Sequence, residues 1–335
     1  MKKVYVITGA NGFLGNNIVR LLQNEINIEI RCLVQPHHQV ESLKGLNCKI
    51  FYGNITDKES LVDLFKIDED DELFVIHAAG VVYIKSRYDK HVYDVNVIGS
   101  KNIIEQVIKN NGKLVYVSSV HALTKKENSS IIEENDSFNE SEVVGHYAKS
   151  KAIVGNYILS LCKENKLNAV IVHPSAMFGM YDFNNTSLTK MITDFANGKL
   201  PIIVKGGYDF VNVKDVAQGI INVTHNFKSG ECYILSGKYV SLKDFLALEA
   251  CLLNIKRKPC VLPLWFTSLL APIVEFFTNV FRLKPLLTKV SIKIVSESSE
   301  FSSLKAQKEL NYKISDIKES LNETLSYLKS IKAIK

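Results

Sequence analysis

Short apolar runs alternate along the first half of the chain with stretches whose apolar residues recur every three or four positions. The runs at residues 4–7, 28–34, 49–52, 73–77, 113–117 and 168–173 are too short for buried helices and are bounded by turn-forming residues, so each predicts a strand. The segments between them, including 16–22 and the stretch around Tyr147, predict helices, and Thr56-Asp57-Lys58-Glu59 reads as a capping box opening a helix over 59–65. Strands that alternate with helices are joined by crossovers, so the expected fold class is α/β with a doubly wound parallel sheet. The polar stretch 125–142 predicts a surface loop. Beyond residue 179 the alternation loosens, and 180–200 with most of 238–335 predicts a smaller, mainly helical part. Within it, Trp265, Phe266, Leu269, Leu270, Ile273, Phe276, Phe277, Val280 and Phe281 recur at helical spacing with polar residues opposite. Pro263, Pro272, Glu275 and Asn279 interrupt this stripe, so it does not predict a membrane span. Packed core or pocket lining, peripheral contact with a membrane surface, and a subunit interface all stay open as readings.

Chemistry enters where the first run ends. Thr8-Gly9-Ala10-Asn11-Gly12-Phe13-Leu14-Gly15 places three glycines between the strand and the first helical pattern. One glycine permits a tight turn, one lets the backbone approach a pyrophosphate, and one lets strand and helix pack closely. Bare amides at the helix start then face the anion. Taken alone, such a turn also fits an ordinary strand-to-helix loop.

A second constellation is Tyr147-Ala148-Lys149-Ser150-Lys151. Four apart on a helix, Tyr147 and Lys151 share a face, so a phenol stands beside an ammonium. The cation favours the phenolate, and a phenol of lowered pKa can exchange a proton with a substrate hydroxyl or carbonyl near neutral pH. The spacing by itself also fits a solvated pair on a surface helix. Strand 113–117 adds to it by ending in Ser118-Ser119, which sets hydroxyls at the carboxyl edge of a sheet, where folds of this class bind ligands.

With these motifs go His77-Ala78-Ala79-Gly80, Asn96-Val97-Ile98-Gly99-Ser100-Lys101-Asn102, His173-Pro174-Ser175-Ala176-Met177-Phe178-Gly179 and Phe210-Val211-Asn212-Val213-Lys214-Asp215-Val216-Ala217. On these residues the chain resembles the extended short-chain dehydrogenase/reductase family over nearly its whole length. Val81-Val82, Gly206-Gly207-Tyr208-Asp209-Phe210, Gly230-Glu231-Cys232-Tyr233-Ile234-Leu235-Ser236 and the tail from Leu304 to Tyr312 resemble its branch of dihydroflavonol reductases and 3-beta-hydroxysteroid dehydrogenases. The resemblance implies a Rossmann nucleotide-binding domain over 1–178, to which about 207–237 returns, and a mainly helical substrate domain over 179–335. It implies an NAD(P)-dependent oxidoreductase acting on CH–OH groups of a small molecule. Tyr147 would move the proton on oxygen, Lys151 would lower its pKa and hold the nicotinamide ribose, and Ser119, rather than Ser118, would hydrogen-bond the substrate oxygen. Asn96 would support the site, or else be a buried amide satisfying backbone groups. The cofactor would be held by Gly9, Asn11, Gly12, Phe13, Leu14, Gly15, Gln35, Asn54, Ile55, Ala78, Ala79, Gly80, Tyr147, Lys151, His173, Pro174, Ser175 and Met177. No metal site is implied.

The choice between NAD and NADP falls where the second strand ends. A carboxylate there would bind ribose hydroxyls and an arginine would accommodate a phosphate, but Val34-Gln35-Pro36-His37-His38 offers neither. The histidines could contact a phosphate when protonated or remain solvated loop residues. Asn54 stands where relatives carry an adenine-contacting aspartate, and the branch resemblance favours NADP. Relatives that act on nucleotide sugars clamp the pyrophosphate with an arginine before the Asp-aromatic pair, whereas this chain has Tyr208 there. An uncharged, largely apolar substrate is therefore expected, with a nucleotide-sugar epimerase or dehydratase and a non-catalytic dinucleotide sensor as alternatives.

Composition narrows the partners. The 335 residues are 46% hydrophobic and 23% charged with a formal charge of +6, and the lysines are spread without an arginine cluster, so nucleic-acid binding is not expected. Six cysteines without paired metal-ligand spacing predict reduced, mostly buried thiols. Met1-Lys2-Lys3 runs straight into the first strand, which predicts a cytoplasmic chain without a signal peptide. A homodimer is compatible with this sequence.

Overall fold

The computed structural model describes residues 2–124, 131–135, 137–267, 269, 274, 288–296 and 300–335. Its strands are β1 (Lys3–Thr8), β2 (Ile28–Val34), β3 (Lys49–Tyr52), β4 (Glu72–His77), β5 (Lys113–Val117), β6 (Ile131–Ile132) and β7 (Asn168–Pro174). They continue with β8 (Ala176–Phe178), β9 (Ile202–Val204), β10 (Gly207–Asn212), β11 (Cys232–Leu235), β12 (Lys238–Ser241), β13 (Cys260–Leu262) and β14 (Glu300–Phe301). A seven-stranded sheet runs β11-β7-β5-β4-β1-β2-β3, with every pair parallel. The fold is thus the expected doubly wound α/β arrangement. The central strands are valine- and isoleucine-rich because both faces are covered, as parallel sheets require.

The chain leaves β1 outward through β2 and β3, then returns to place β4 on the other side of β1. That reversal opens a crevice at the carboxyl ends of β1 and β4, where doubly wound sheets bind ligands. One face of the sheet is covered by the helices Ser100–Lys109 and Gly145–Lys163, which contribute Ile103, Val107, Ala152 and Ile158 to the core. The other is covered by the helices Phe13–Leu22 and Val213–His225, and Ala306, Leu310 and Tyr312 from the tail pack into the same core. A third core gathers Phe178, Phe195, Phe210, Phe245, Leu321 and Leu325, with Phe210 stacked on Phe245 at 4.1 Å between ring centres.

Three local expectations are corrected. Residues Glu59–Phe65 form a 3-10 helix, and Thr56 does not cap it; Asp57 Oδ1 accepts the Glu59 N–H instead, at 3.2 Å. The Asp57 carboxylate closes this Asx turn two residues ahead of Glu59 and leaves no role for a capping box. All six cysteines are free, as expected, but Cys251 and Cys260 are exposed, Cys48 and Cys162 half-buried, and only Cys32 and Cys232 buried. Of the apolar stripe, Trp265 and Leu269 are 71% and 65% exposed, so these positions are not packed core. Phe266 is half-buried against the Trp265 ring; Leu270, Ile273, Phe276, Phe277, Val280 and Phe281 lie outside the described residues. Among the described residues no helix is long and apolar enough to cross a membrane.

Glu249, on the helix Leu242–Leu253, is fully buried with neither carboxyl oxygen hydrogen-bonded. Burial pushes its pKa from 4.5 up to about 9, and the Arg257 charge only partly opposes this. Folding therefore binds a proton that the unfolded chain releases above pH 4.5, so this contribution to stability is full below 4.5 and is lost as pH rises through 9. We expect Glu249→Leu to flatten that decline and to raise unfolding free energy at alkaline pH by about 1–3 kcal/mol. Denaturant titrations of both proteins at acidic and alkaline pH measure it, and parallel pH slopes would contradict the assignment.

Candidate active site

At the end of β1 the backbone turns sharply at Gly9, whose φ of +67° suits glycine. A Cβ on Gly9 would lie 2.9 Å from the Ala79 backbone, and one on Gly15 would collide with the Gly9 carbonyl. Gly12 caps the helix Phe13–Leu22 without any side-chain hydrogen bond, so no side chain competes with a ligand for the first amides. These features fit the pyrophosphate of a dinucleotide: an open helix N-terminus and a floor that admits close backbone approach. One turn along, Asn16 and Asn17 donate to the carbonyls of Tyr181 and Met180, at 3.0 and 3.2 Å, and tie this helix to the loop beyond β8.

Behind the turn runs a buried hydrogen-bond relay. The Ala79 N–H donates to Thr8 Oγ1 at 3.1 Å, which leaves the Thr8 hydroxyl to donate to His77 Nδ1 at 2.6 Å. His77 Nε2 then donates to Ser100 Oγ at 2.9 Å, because Ser100 spends its own proton on the Asn96 carbonyl at 2.6 Å. Burial, with Lys151 nearby, holds the His77 pKa down to about 3, so the imidazole is neutral and its tautomer follows from its partners. The Asn96 side chain continues the chain: Oδ1 accepts Val81 N–H at 2.7 Å, and Nδ2 donates to the Val81 carbonyl and to Ser150 Oγ. Ser150 in turn donates to the Tyr147 carbonyl at 2.7 Å. Asn96 lies in a π-helical turn, Asp94–Gly99, that the periodicity of the sequence did not disclose.

Ser119, Tyr147 and Lys151 come together at the ends of β5 and the helix Gly145–Lys163. Ser119 caps the 3-10 turn Val120–Ala122, and its hydroxyl also lowers the pKa of the Tyr147 phenol. Ser118, by contrast, is buried with its hydroxyl unpartnered. The expectation of a phenol lowered by Lys151 is not met in this arrangement: desolvation dominates and pushes Tyr147 up to about 12. Lys151 is itself buried, its pKa pushed down to about 7, and its Nζ donates to the Val117 carbonyl at 2.7 Å, 6.0 Å from the Tyr147 ring centre. A Cβ on Gly80 would stand 3.5 Å from that Nζ, so the glycine leaves space beside the ammonium for a ligand hydroxyl.

The remaining expected cofactor residues divide. Ala78 and Ala79 are half-buried at the crevice, Gln35 is exposed at the end of β2, and the Asn11 side chain donates to the Gln39 carbonyl. Asn54 uses Oδ1 to accept the Thr56 N–H, and Ile55 is buried against Gly99. His173 and Pro174 are buried in the free protein; His173 Nδ1 donates to the Ser119 carbonyl at 3.1 Å and so buttresses it. Met177 packs into the second core. Ser175 is buried at a cavity of about 510 Å³, whose wall includes Val120 and His121 directly after Ser119 and Val143 and Val144 directly before the Tyr147 helix. Among the described residues no lysine or arginine lines this cavity, and Trp265, Phe266 and Leu269 do not reach it. No group of side chains suited to a metal ion occurs among the described residues. Sequence reasoning missed Thr8, Ser100 and Ser150, whose signal was a polar residue on an otherwise buried face, and His121.

Lys151 generates a stability prediction for the free protein. Between pH 7 and 10.5 the folded state binds fewer protons at this site than the unfolded chain, so stability rises with pH across that window. Lys151→Met should remove this rise and leave the free protein at least as stable at neutral pH. Denaturation midpoints across the window, compared between the two proteins, measure the difference; a variant with an undiminished slope would refute the assignment.

Residues 5–235 match the NAD dependent epimerase/dehydratase family. A Synechocystis sp. protein provisionally named dihydroflavonol 4-reductase is 26% identical, over 98% of this chain and 96% of its own. The 3 beta-hydroxysteroid dehydrogenase type 7 of Mus musculus is 25% identical, over 98% and 96%. Among solved structures, gox2253 is similar with a TM-score of 0.85 and 28% identity, covering 99% of both chains. A glycine turn on a parallel sheet, a crevice at its strand order reversal and a family match over more than half of the length converge: the chain belongs to the NAD dependent epimerase/dehydratase family.

Proposed function

We propose that this protein is an NAD(P)-dependent oxidoreductase that reduces a ketone or aldehyde, or oxidises the matching secondary alcohol, on an uncharged and largely apolar small molecule. The observation that carries this reading is the Ser119, Tyr147 and Lys151 cluster beside a cavity that presents no lysine or arginine among the described residues. When bound, the nicotinamide supplies or accepts hydride. Ser119 and Tyr147 hold the substrate oxygen, and Tyr147 moves the proton at that oxygen. A phenol pushed up to about 12 is protonated at neutral pH, the state needed to protonate a carbonyl oxygen. Lys151 Nζ, fixed by Val117, has further N–H groups for the ribose hydroxyls. Residues 1–178 and the returning segment 207–237 hold the nucleotide, and parts of 179–335 close over the substrate.

NADP is the proposed cofactor in preference to NAD. Residues 35–40 after β2 contain no carboxylate to bind ribose hydroxyls or repel a phosphate, and Gln35, His37 and His38 are exposed there. The nucleotide-sugar alternative lacks support at Tyr208, where a phosphate-clamping arginine would stand, and Tyr208 lines the cavity. A reductase screen against lipophilic carbonyl compounds and nucleotide sugars, followed by nicotinamide absorbance, separates the readings. Turnover confined to nucleotide sugars would overturn ours.

Two variants test the site itself. Tyr147→Phe should lower turnover by about 10²–10⁴-fold while leaving dinucleotide affinity essentially unchanged, since only the proton-transfer hydroxyl is lost. Gly12→Val, whose Cβ would stand 3.0 Å from the Gly9 carbonyl, should fold yet lose dinucleotide binding in fluorescence titration. A phenylalanine variant with full activity, or a folded valine variant with full affinity, would contradict the respective role.

A further inference from the structure

Side chains along β5 alternate between the two faces of the sheet, and Leu114 and Tyr116 fall on the face covered by the helix Gly145–Lys163. Lys151 reaches from that helix to β5 and ends in two contacts on neighbouring residues of the strand. Its Nζ donates to the Val117 carbonyl at 2.7 Å and lies over the Tyr116 ring, 4.8 Å from the ring centre. The Tyr147 ring is farther, at 6.0 Å. Lys151 is 4% exposed and Tyr116 is fully buried, so this contact is desolvated, the condition in which an ammonium gains most from a ring face. The Tyr116 hydroxyl makes no hydrogen bond that satisfies both length and angle, and the nearby Ser100 Oγ is already committed to His77 and to the Asn96 carbonyl. What this position offers is therefore the ring. Burial alone sets the charge balance of Lys151, with no carboxylate acting on it among the described residues. The groups around it are uncharged near neutral pH. His77 at the end of β4, His173 on β7 and His121 after β5 are held down to about 3, 4 and 4, the Tyr116 and Tyr147 phenols are pushed up, and the π-helical turn brings the Asn96 amide.

We infer that Tyr116 is a positioning residue for Lys151: its ring face and the Val117 carbonyl hold the ammonium in one place beside Gly80 and keep it charged in a pocket that otherwise favours the neutral amine. The carbonyl takes one N–H, whereas the ring face supplies negative potential without occupying a donor, so the remaining N–H groups stay free for ligand hydroxyls. A carboxylate at this place would hold the charge more strongly, but it would consume those donors. With its pKa at about 7, Lys151 is roughly half charged at pH 7, and a fall of one pH unit would leave about a tenth of it charged. The inference deepens the role given to Lys151 in the proposed reductase and rests on that reading for its consequence in catalysis.

Because Tyr116 is fully buried, the test preserves the shape of the ring and alters only its electrostatic face. Tyr116→Phe is compared with proteins that carry difluorinated or trifluorinated phenylalanine at the same position, since each fluorine withdraws electron density from the face. Lysine Cε carbons are labelled with carbon-13, the Lys151 resonance is identified by its loss in Lys151→Met, and its titration in the free protein is followed by NMR. Tyr116→Phe should titrate as the unaltered protein does, near 7, and fluorination should lower the midpoint stepwise, by about one pH unit at three fluorines. The sign follows from the charge: a weaker face stabilises the ammonium less, so the proton leaves at lower pH. Thermal melts establish that each protein is folded. A midpoint that stays constant or rises across the fluorinated series overturns the inference, as does a full fall in Tyr116→Phe alone, which would place the effect in the hydroxyl. The titration is read without substrate or dinucleotide, whereas failure of the reductase reading is read as absence of turnover in the carbonyl screen, so the two failures are distinguishable.

Discussion

The arrangement of the site depends on a chain of neutral hydrogen bonds that starts at the Ala79 amide and ends at the Tyr147 carbonyl. It passes through Thr8, His77, Ser100, Asn96 and Ser150; each hydroxyl gives and receives once, and the His77 ring accepts at Nδ1 and donates at Nε2. Because every link fixes the direction of the next, the His77 tautomer is not free to change without leaving a buried group unpaired. The relay joins the ends of β1 and β4 to the helix Gly145–Lys163, so the glycine turn and Tyr147 are held as one unit. Two independent elements would drift by fractions of an ångström, and chemistry of this kind tolerates little drift.

Burial sets the charge state of everything around that relay. His77 and His173 are kept neutral, Lys151 is drawn down toward neutrality, and Tyr147 is driven up, in each case with desolvation as the largest cause. The ammonium expected to ease proton loss from Tyr147 is itself weakened, and its Nζ is directed at Val117. The free protein thus holds its tyrosine as an acid. Any shift toward the phenolate has to come from charge or contacts brought by what binds, which ties the reactivity of the cluster to occupancy of the crevice.

How much of this could be read in the sequence follows from the range of the forces involved. β2 and β3 coincide with the expected segments and β4 begins one residue earlier, because a buried parallel strand is written as a local apolar run. The glycine turn was legible for the same reason, as a short local pattern with a mechanical need, whereas Ser119 was joined to Tyr147 and Lys151 only through the family resemblance, being distant from them in sequence. His173 was legible as a motif, whereas its hydrogen bond to the Ser119 carbonyl shows only in the folded chain. Thr8, Ser100 and Ser150 showed only as polar residues on otherwise buried faces, because their role comes from partners 23 to 71 positions away. The 3-10 form of Glu59–Phe65 escaped because Asp57 and Ser60 compete locally with the helical cap.

Substrate recognition is where the same electrostatic logic carries furthest. Among the described residues a cavity of about 510 Å³ offers carboxyl groups, a neutral imidazole and aliphatic walls, and no lysine or arginine to neutralise a pyrophosphate. Burial pushes the Asp209 carboxyl up to about 6, and one of its oxygens already accepts the Gly237 N–H. Its remaining capacity favours a donor over an acceptor on the ligand. Tyr208, also desolvated and pushed up to about 12, stays a neutral donor and acceptor. The described wall therefore presents neutral and acidic hydrogen-bonding groups rather than cations, and they stand on β10, which pairs with β8, and on the turn after β5 that Ser119 caps.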